Sequence, residues 1–215
     1  RVWPQNVEIN LLPLGLTFKD IRILPQKELA KSFAPSHVEQ VSISLSLFAL
    51  LKGEIRAARI TIEQPDIKFI LKENPFKRSE GEKRKSKPFE WSFEDIYQIP
   101  LDEVKINNLT LLAKIEPQDV AFRMKNVQFS IENRYRSLLV DFKFPMLQLK
   151  QLGNKPDLKL EVESRFLAEK DQLQISALKI KKGLSYAVAS GKILGNLEDA
   201  KLDKVLMNKR YYTSL

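Results

Sequence analysis

The chain has 215 residues, 43% hydrophobic and 29% charged, a balance that supports one globular domain or two small ones and argues against disorder throughout. It contains no cysteine and one histidine, His37, which excludes disulfides, thiol catalysis, iron–sulfur ligation, zinc ribbons and any relay that needs a second imidazole. The net charge of +9 invites an anionic partner, but Lys77 to Lys87 alone holds six basic residues against Glu80 and Glu82, and the remaining excess is spread thinly.

The chain opens at Arg1-Val2-Trp3-Pro4 without an initiator methionine and holds no apolar run of roughly 18 residues that would span a bilayer as a helix. It reads as a soluble piece, compatible with a signal peptide or membrane anchor removed upstream. From Val7 onward the dominant period is two. Val7, Ile9 and Leu11 alternate with Glu8 and Asn10; Val41, Ile43, Leu45 and Leu47 alternate with Ser42, Ser44 and Ser46; Ile67, Phe69 and Leu71 alternate with Lys68 and Ile70. Such alternation gives a strand one apolar and one polar face. Gln26–Phe33 and Leu47–Lys52 are short helix candidates, and His37, in Ala34-Pro-Ser-His-Val38, is expected at the surface at the start of a strand.

Lys77–Pro88 has no apolar periodicity, offers nothing to bury, and reads as a loop. The chain thus divides into a β segment at 1–75, a basic loop at 76–89 and a longer β region at 90–215. Phe89, Trp91 and Phe93 re-enter the fold as packing anchors, and Ser92–Ile99 is a third helix candidate with Ser92 as N-cap. Beyond it the alternation becomes regular: Val104/Ile106, Leu109/Leu111, Val120/Phe122/Met124, Val127/Phe129/Ile131, Leu138/Val140/Phe142/Phe144, Leu158/Leu160/Val162, Leu173/Ile175 and Leu178/Ile180. The parity flips across Asn107-Asn108 and across Lys125-Asn126, which calls for either a two-residue turn or a bulge. Turn residues punctuate the runs at Pro13, Pro65, Pro75, Pro100, Pro117, Pro145 and Pro156, with Gly153-Asn154, Lys182-Gly183 and Gly195-Asn196. Their spacing favours short, sequentially paired strands over βαβ crossovers.

The expected fold is therefore all-β with few short helices, an antiparallel meander of about a dozen strands with one apolar face. The helices are too few to cover that face. Two architectures satisfy it: a closed sandwich or barrel, or an open, curved sheet completed by a lipid-like ligand.

The run Val41-Ser-Ile-Ser-Leu-Ser-Leu-Phe-Ala-Leu-Leu-Lys-Gly-Glu-Ile-Arg-Ala-Ala-Arg-Ile-Thr-Ile-Glu-Gln-Pro-Asp-Ile-Lys-Phe-Ile-Leu71 resembles the N-terminal signature of the AsmA-like family: an alternating strand, a Leu-Leu-x-Gly corner at Leu50–Gly53, a second strand, and a proline, Pro65, before another alternating strand. Leu16–Leu24 is similar to the family's preceding strand, and Trp91 with Leu101–Leu111 to its next repeat; Asn107-Asn108 stands where family members often carry glycine. The resemblance covers about the first 115 residues and implies a periplasmic protein held in the inner membrane by an N-terminal helix outside this chain. It also implies a taco-like β-groove that binds phospholipid or another acyl-chain ligand on its way to the outer membrane, with no catalytic residues. The groove face is then expected to comprise Val104, Ile106, Leu109, Leu111, Val120, Phe122, Met124, Phe129, Ile131, Leu138, Val140, Phe142, Leu158, Leu160, Val162, Leu173 and Ile175, with Lys105, Lys159 and Lys179 on the opposite side. Without the resemblance the same alternation reads as an ordinary core.

The basic loop around Lys83, Arg84 and Lys85 reads first as solvated chain and second as a contact for anionic headgroups. It lacks the interleaved aromatics of a nucleic-acid site, so no nucleic-acid partner is expected. Asp95, Asp102 and Glu103 are carboxylates without a nucleophile elbow, phosphate loop or metal spacing around them. The chain is expected to be non-enzymatic and to use no cofactor or metal. A structural or assembly factor that binds an envelope protein through its strand edges is the alternative.

Overall fold

The computed structural model describes residues 2–25, 33–71, 101–115, 120–134, 137–151, 158–194 and 204–212. The period-two runs become strands, since alternation lets one side of a pleated ribbon bury apolar groups while the other stays in water; the exception is Leu47, at the end of the Val41 run, which enters a helix. They are β1 (Val2–Trp3), β2 (Asn6–Leu11), β3 (Leu14–Ile23), β4 (Ser36–Leu45), β5 (Ala57–Leu71), β6 (Glu103–Ile115), β7 (Val120–Arg134), β8 (Ser137–Gln151), β9 (Leu158–Ala168), β10 (Gln172–Lys182), β11 (Ser185–Leu194) and β12 (Lys204–Tyr212). One short helix, α1 (Leu47–Leu51), is described. The Ser46 hydroxyl caps it by accepting from the Ala49 amide at 3.3 Å, and Gly53 follows at φ +79°. This is the Leu47–Lys52 candidate; the candidates at Gln26–Phe33 and Ser92–Ile99 fall almost wholly outside the described residues.

The strands form a single sheet in the order β1-β3-β4-β5-β6-β7-β8-β9-β10-β11-β12, with β2 also beside β3. The path is linear: β12 pairs with β11 alone and β2 with β3 alone, so among the described residues the sheet is open and curved, not a closed sandwich or barrel. All neighbours are antiparallel except β5 and β6, which run parallel from Arg59↔Glu103 to Leu71↔Ile115. The meander expected from turn spacing is interrupted there, because a parallel neighbour needs a connection back to the starting end. Three polar contacts fix this parallel register: Arg56 to Asp102 at 2.8 Å, Arg59 to Glu103, and the Asn107 amide donating to Glu63 at 2.7 Å. The sheet thus runs unbroken from residues 57–71 into residues 103–115.

Two prolines expected in turns lie inside strands, Pro65 in β5 and Pro145 in β8. Pro145 sits at a register shift against β9, and Pro65, in register with Val38 on β4, has no partner on β6; strands tolerate a residue lacking an N–H at such points. Likewise the parity flips are not turns. β6 and β7 each run straight through them, with Asn108 at φ +55° and Asn126 at φ +54° and register shifts on either side of Leu109. Asp20 in β3 and Gln64 in β5 share the left-handed conformation, at φ +51° and +49°. The pairs flanking them align Asp20 and Gln64 with Asn108 across the sheet. The result is a crease that crosses β3 to β7 along one line.

Candidate functional site

Residues directly opposite each other in a ladder point to the same face, so the register alone maps the two surfaces. One row runs Ile9–Leu16–Ile43–Ile60–Val104–Ile131–Val140–Phe166–Ile175–Gly191, and a second runs Val7–Phe18–Val41–Ile62–Ile106–Phe129–Phe142–Ser164–Leu178–Ala189. Each crosses ten strands, about 45 Å at roughly 4.8 Å per strand. A third row, Ile67–Leu111–Met124–Leu147–Leu160, lies beyond the crease. Because Val127 pairs with Leu109 while Phe129 pairs with Ile106, all four share one face although Ile106 and Leu109 are three residues apart. The extra residue in the crease keeps the apolar set together.

The face is deepest along that crease. Ile21, Val38, Pro65 and Val127 follow it and are buried, Val127 with 2% of its surface exposed, whereas Asp20, Glu39, Gln64, Asn108 and Asn126 on the other side are all exposed. Burial on one side matched by exposure on the other means that the strands bend toward the apolar side. Away from the crease most side chains of this face are only half-buried; Leu138, Ser164 and Ile175 are buried, and Val7, Ile9 and Leu16 at the β2–β3 end are exposed. A ring cluster marks its middle, with Phe142 5.0 Å from Phe144 and 5.2 Å from Phe166 between ring centres.

Val104, Ile106, Leu109, Leu111, Phe122, Met124, Phe129, Ile131, Leu138, Val140, Phe142, Leu160, Val162, Leu173 and Ile175 all fall on this face by register. For Val120 and Leu158 only the backbone positions are described, opposite Ile115 and Leu149. Lys83, Arg84 and Lys85 lie outside the described residues. The expected groove face omits Val127, Phe144 and Leu178, whose alternation the sequence shows, and Leu147, Phe166 and Ile193, which the structure adds. Leu147 is hidden by the parity change after Pro145, and Phe166 by Ser164, a polar residue in an apolar position. It also stops at Val104, although the same rows continue through Ile60, Ile62, Val41, Ile43, Leu16 and Phe18.

The opposite face is polar. Lys105, Lys159 and Lys179 stand on it, opposite Ser130, Gln148 and Glu163. Open depressions of about 680 and 670 Å3 lie there between long side chains of both signs, the first lined by Lys105, Asp141, Lys143, Glu163 and Arg165, the second by Glu39, Asp66, Lys68 and Arg123. Arg165 holds Asp141 at 2.6 Å, and that hydrogen bond raises the guanidinium pKa above its ordinary value. The one carboxylate shifted among the described residues is Glu103. Burial pushes it up, but hydrogen bonds from Lys105 and Arg59 outweigh this and hold it below the usual range. His37 is exposed, 3.8 Å from Asp20. Among the described residues no group of three metal-ligating side chains occurs, and no helix is long and apolar enough to cross a membrane.

The architecture therefore defines a class: an open, curved β-sheet whose one apolar face runs from β2 to β11 and is creased inward. No protein-family model matches the chain, and no curated protein matches it either.

Proposed function

We propose that the apolar face is a binding surface for acyl chains and that the protein is a non-enzymatic lipid-binding or lipid-carrying segment. The observation that carries this reading is the pair of long rows on an open sheet, apolar across β2 to β10 except at Ser164. A surface of that extent exposed to water is costly, at about 25 cal/mol per Å2, and an extended hydrocarbon satisfies it without any polar recognition. Each methylene moved from water onto such a face contributes up to about 0.8 kcal/mol. Headgroups stay in water at the rim, so the surface discriminates weakly among lipids and lets them slide along the rows. The resemblance of Val41–Leu71 to the AsmA-like segment supports phospholipid as the ligand and the periplasm, beside an inner-membrane anchor, as the location.

Lipid extraction and mass spectrometry of gently purified protein, with uptake of a fluorescent phospholipid, tests the reading. Co-purifying phospholipid and saturable uptake are expected; lipid-free protein that takes up no probe contradicts it. The free edges β2 and β12 support a second reading, in which the protein is an assembly factor and adds a strand of an envelope protein to its sheet. Crosslinking from those edges in cells captures a protein under that reading and chiefly lipid under the first.

A further inference from the structure

The charge of the sheet is uneven. Strands β1 to β9 mix signs and pair them, as in Lys19–Glu8, Arg59–Glu103, Arg134–Glu132 and Arg165–Asp141. Strands β10, β11 and β12 hold Lys179, Lys181, Lys182, Lys192, Lys204, Lys209 and Arg210 and not one acidic residue. Five of these seven gather at one end, where β10 turns into β11 and β12 finishes: Lys181 pairs with Tyr186, Lys182 with Ser185, Val188 with Arg210 and Ala189 with Lys209. The Lys181 ammonium pairs with Glu161 at 3.3 Å, and Lys179 stands opposite Glu163 with its ammonium 5.6 Å from the centre of the Tyr186 ring; for Lys182, Lys209 and Arg210 no acid is in reach among the described residues.

The same end presents apolar and aromatic groups to water. Gly183, at φ +59°, turns the chain so that Leu184 stands at the tip with 78% of its surface exposed, and Tyr211 on the neighbouring strand is 75% exposed. Tyr212 stacks on Tyr186 with ring centres 4.6 Å apart. An excess of exposed basic residues, amphipathic aromatic rings and a leucine on a turn tip are together the chemistry of a membrane–water interface. An edge strand protected from aggregation needs the lysines but not an exposed leucine.

We infer that this end of the sheet docks on an anionic phospholipid surface, with Lys182, Lys209 and Arg210 against phosphates and Leu184 and Tyr211 in the headgroup layer. The inference goes beyond lipid binding by the apolar face: Lys209 and Tyr211 share that face by register at its β12 margin, whereas Arg210 stands on the polar face opposite Val188 and Leu184 on the turn. Docking at this end would set the apolar rows beside a bilayer.

The whole chain is sedimented with vesicles of phosphatidylethanolamine plus phosphatidylglycerol, and separately with phosphatidylcholine vesicles. Binding to the anionic vesicles only, weakening with salt, is expected. The K182Q/K209Q/R210Q triple variant should bind roughly a hundredfold more weakly, L184D at least tenfold more weakly, and R123Q/K125Q on β7 about as well as the parent. Since Leu184 and the three basic side chains are exposed, circular dichroism should show all variants folded. Equal binding to both vesicle types, or a triple variant that binds like the parent, overturns the inference. So does a triple variant that only self-associates, which would make the lysines edge protection. Fluorescent-lipid uptake from micelles by L184D and by R210Q, whose residues lie off the apolar rows, should be unchanged, so failure of docking and failure of the apolar-face reading register in separate assays.

Discussion

Placing a carboxylate on the apolar face has opposite consequences at two positions one strand apart, and the contrast measures whether that face is open. Phe142 is half-buried and touches Phe144 and Phe166. Phe142→Asp removes about 1–1.5 kcal/mol of partial burial and two ring contacts of about 0.5–1.5 kcal/mol each, so about 2–4 kcal/mol in all. The new carboxylate stays in water and adds little. Against a typical total of about 5–15 kcal/mol, the sheet survives with its Tm lowered by roughly 5–15 °C, while fluorescent-lipid uptake falls at least tenfold. Val127 lies in the crease with 2% exposure. Val127→Asp there strands an unpaired charge at a cost of several kcal/mol beyond lost packing, and the cooperative melt should disappear. Paired thermal melts by circular dichroism, with an uptake assay on the folded variant, check both. If Phe142→Asp unfolds as completely as Val127→Asp, the face is a closed core and the reasoning fails.

At the parallel β5–β6 seam, Glu103→Gln should cost about 1 kcal/mol at neutral pH. The folded pKa is depressed, so this contribution is present above the ordinary carboxylate value of 4.5 and is lost as pH falls through the folded value; urea melts of both proteins should converge at low pH. In β3, a Cβ on Gly15 would sit 2.1 Å from the Ile43 carbonyl oxygen, so Gly15→Ala should cost about 2–3 kcal/mol and loosen β3 from β4, seen as faster amide exchange there. At the crease, Asn126→Gly should be near neutral, whereas Asn126→Val, β-branched at positive φ, should cost about 1–3 kcal/mol in a chemical melt.

Period-two alternation was sufficient to read strand class and face, because a one-residue slip would expose every apolar group, as the in-register rows through Ile106 and Phe129 show. What alternation could not show was continuity. Asn108, Asn126 and Pro65 are turn formers by local chemistry, yet here they crease long strands, since the neighbouring ladders hold their backbones in place. The parallel β5–β6 pairing was equally hidden: polar contacts such as Arg59–Glu103 join residues 44 positions apart. Ile175 shows the limit for the site, because a sequence marks it as groove-facing but not as buried; Ile175→Glu would unfold the sheet instead of probing a ligand. The basic end at β10–β12 was legible only once the strands were ordered, since Lys182 and Arg210 are brought near by β11.

The central claim, that acyl chains lie on the apolar face, is tested most directly by photo-crosslinking along β7. A photoreactive residue placed singly at 128, 129, 130 and 131 samples alternate faces, with Gln128 and Ser130 polar-side and Phe129 and Ile131 in the apolar rows. Crosslinks to phospholipid at 129 and 131 and none at 128 and 130 are expected. Lipid captured equally at all four positions, or at none, would contradict the account.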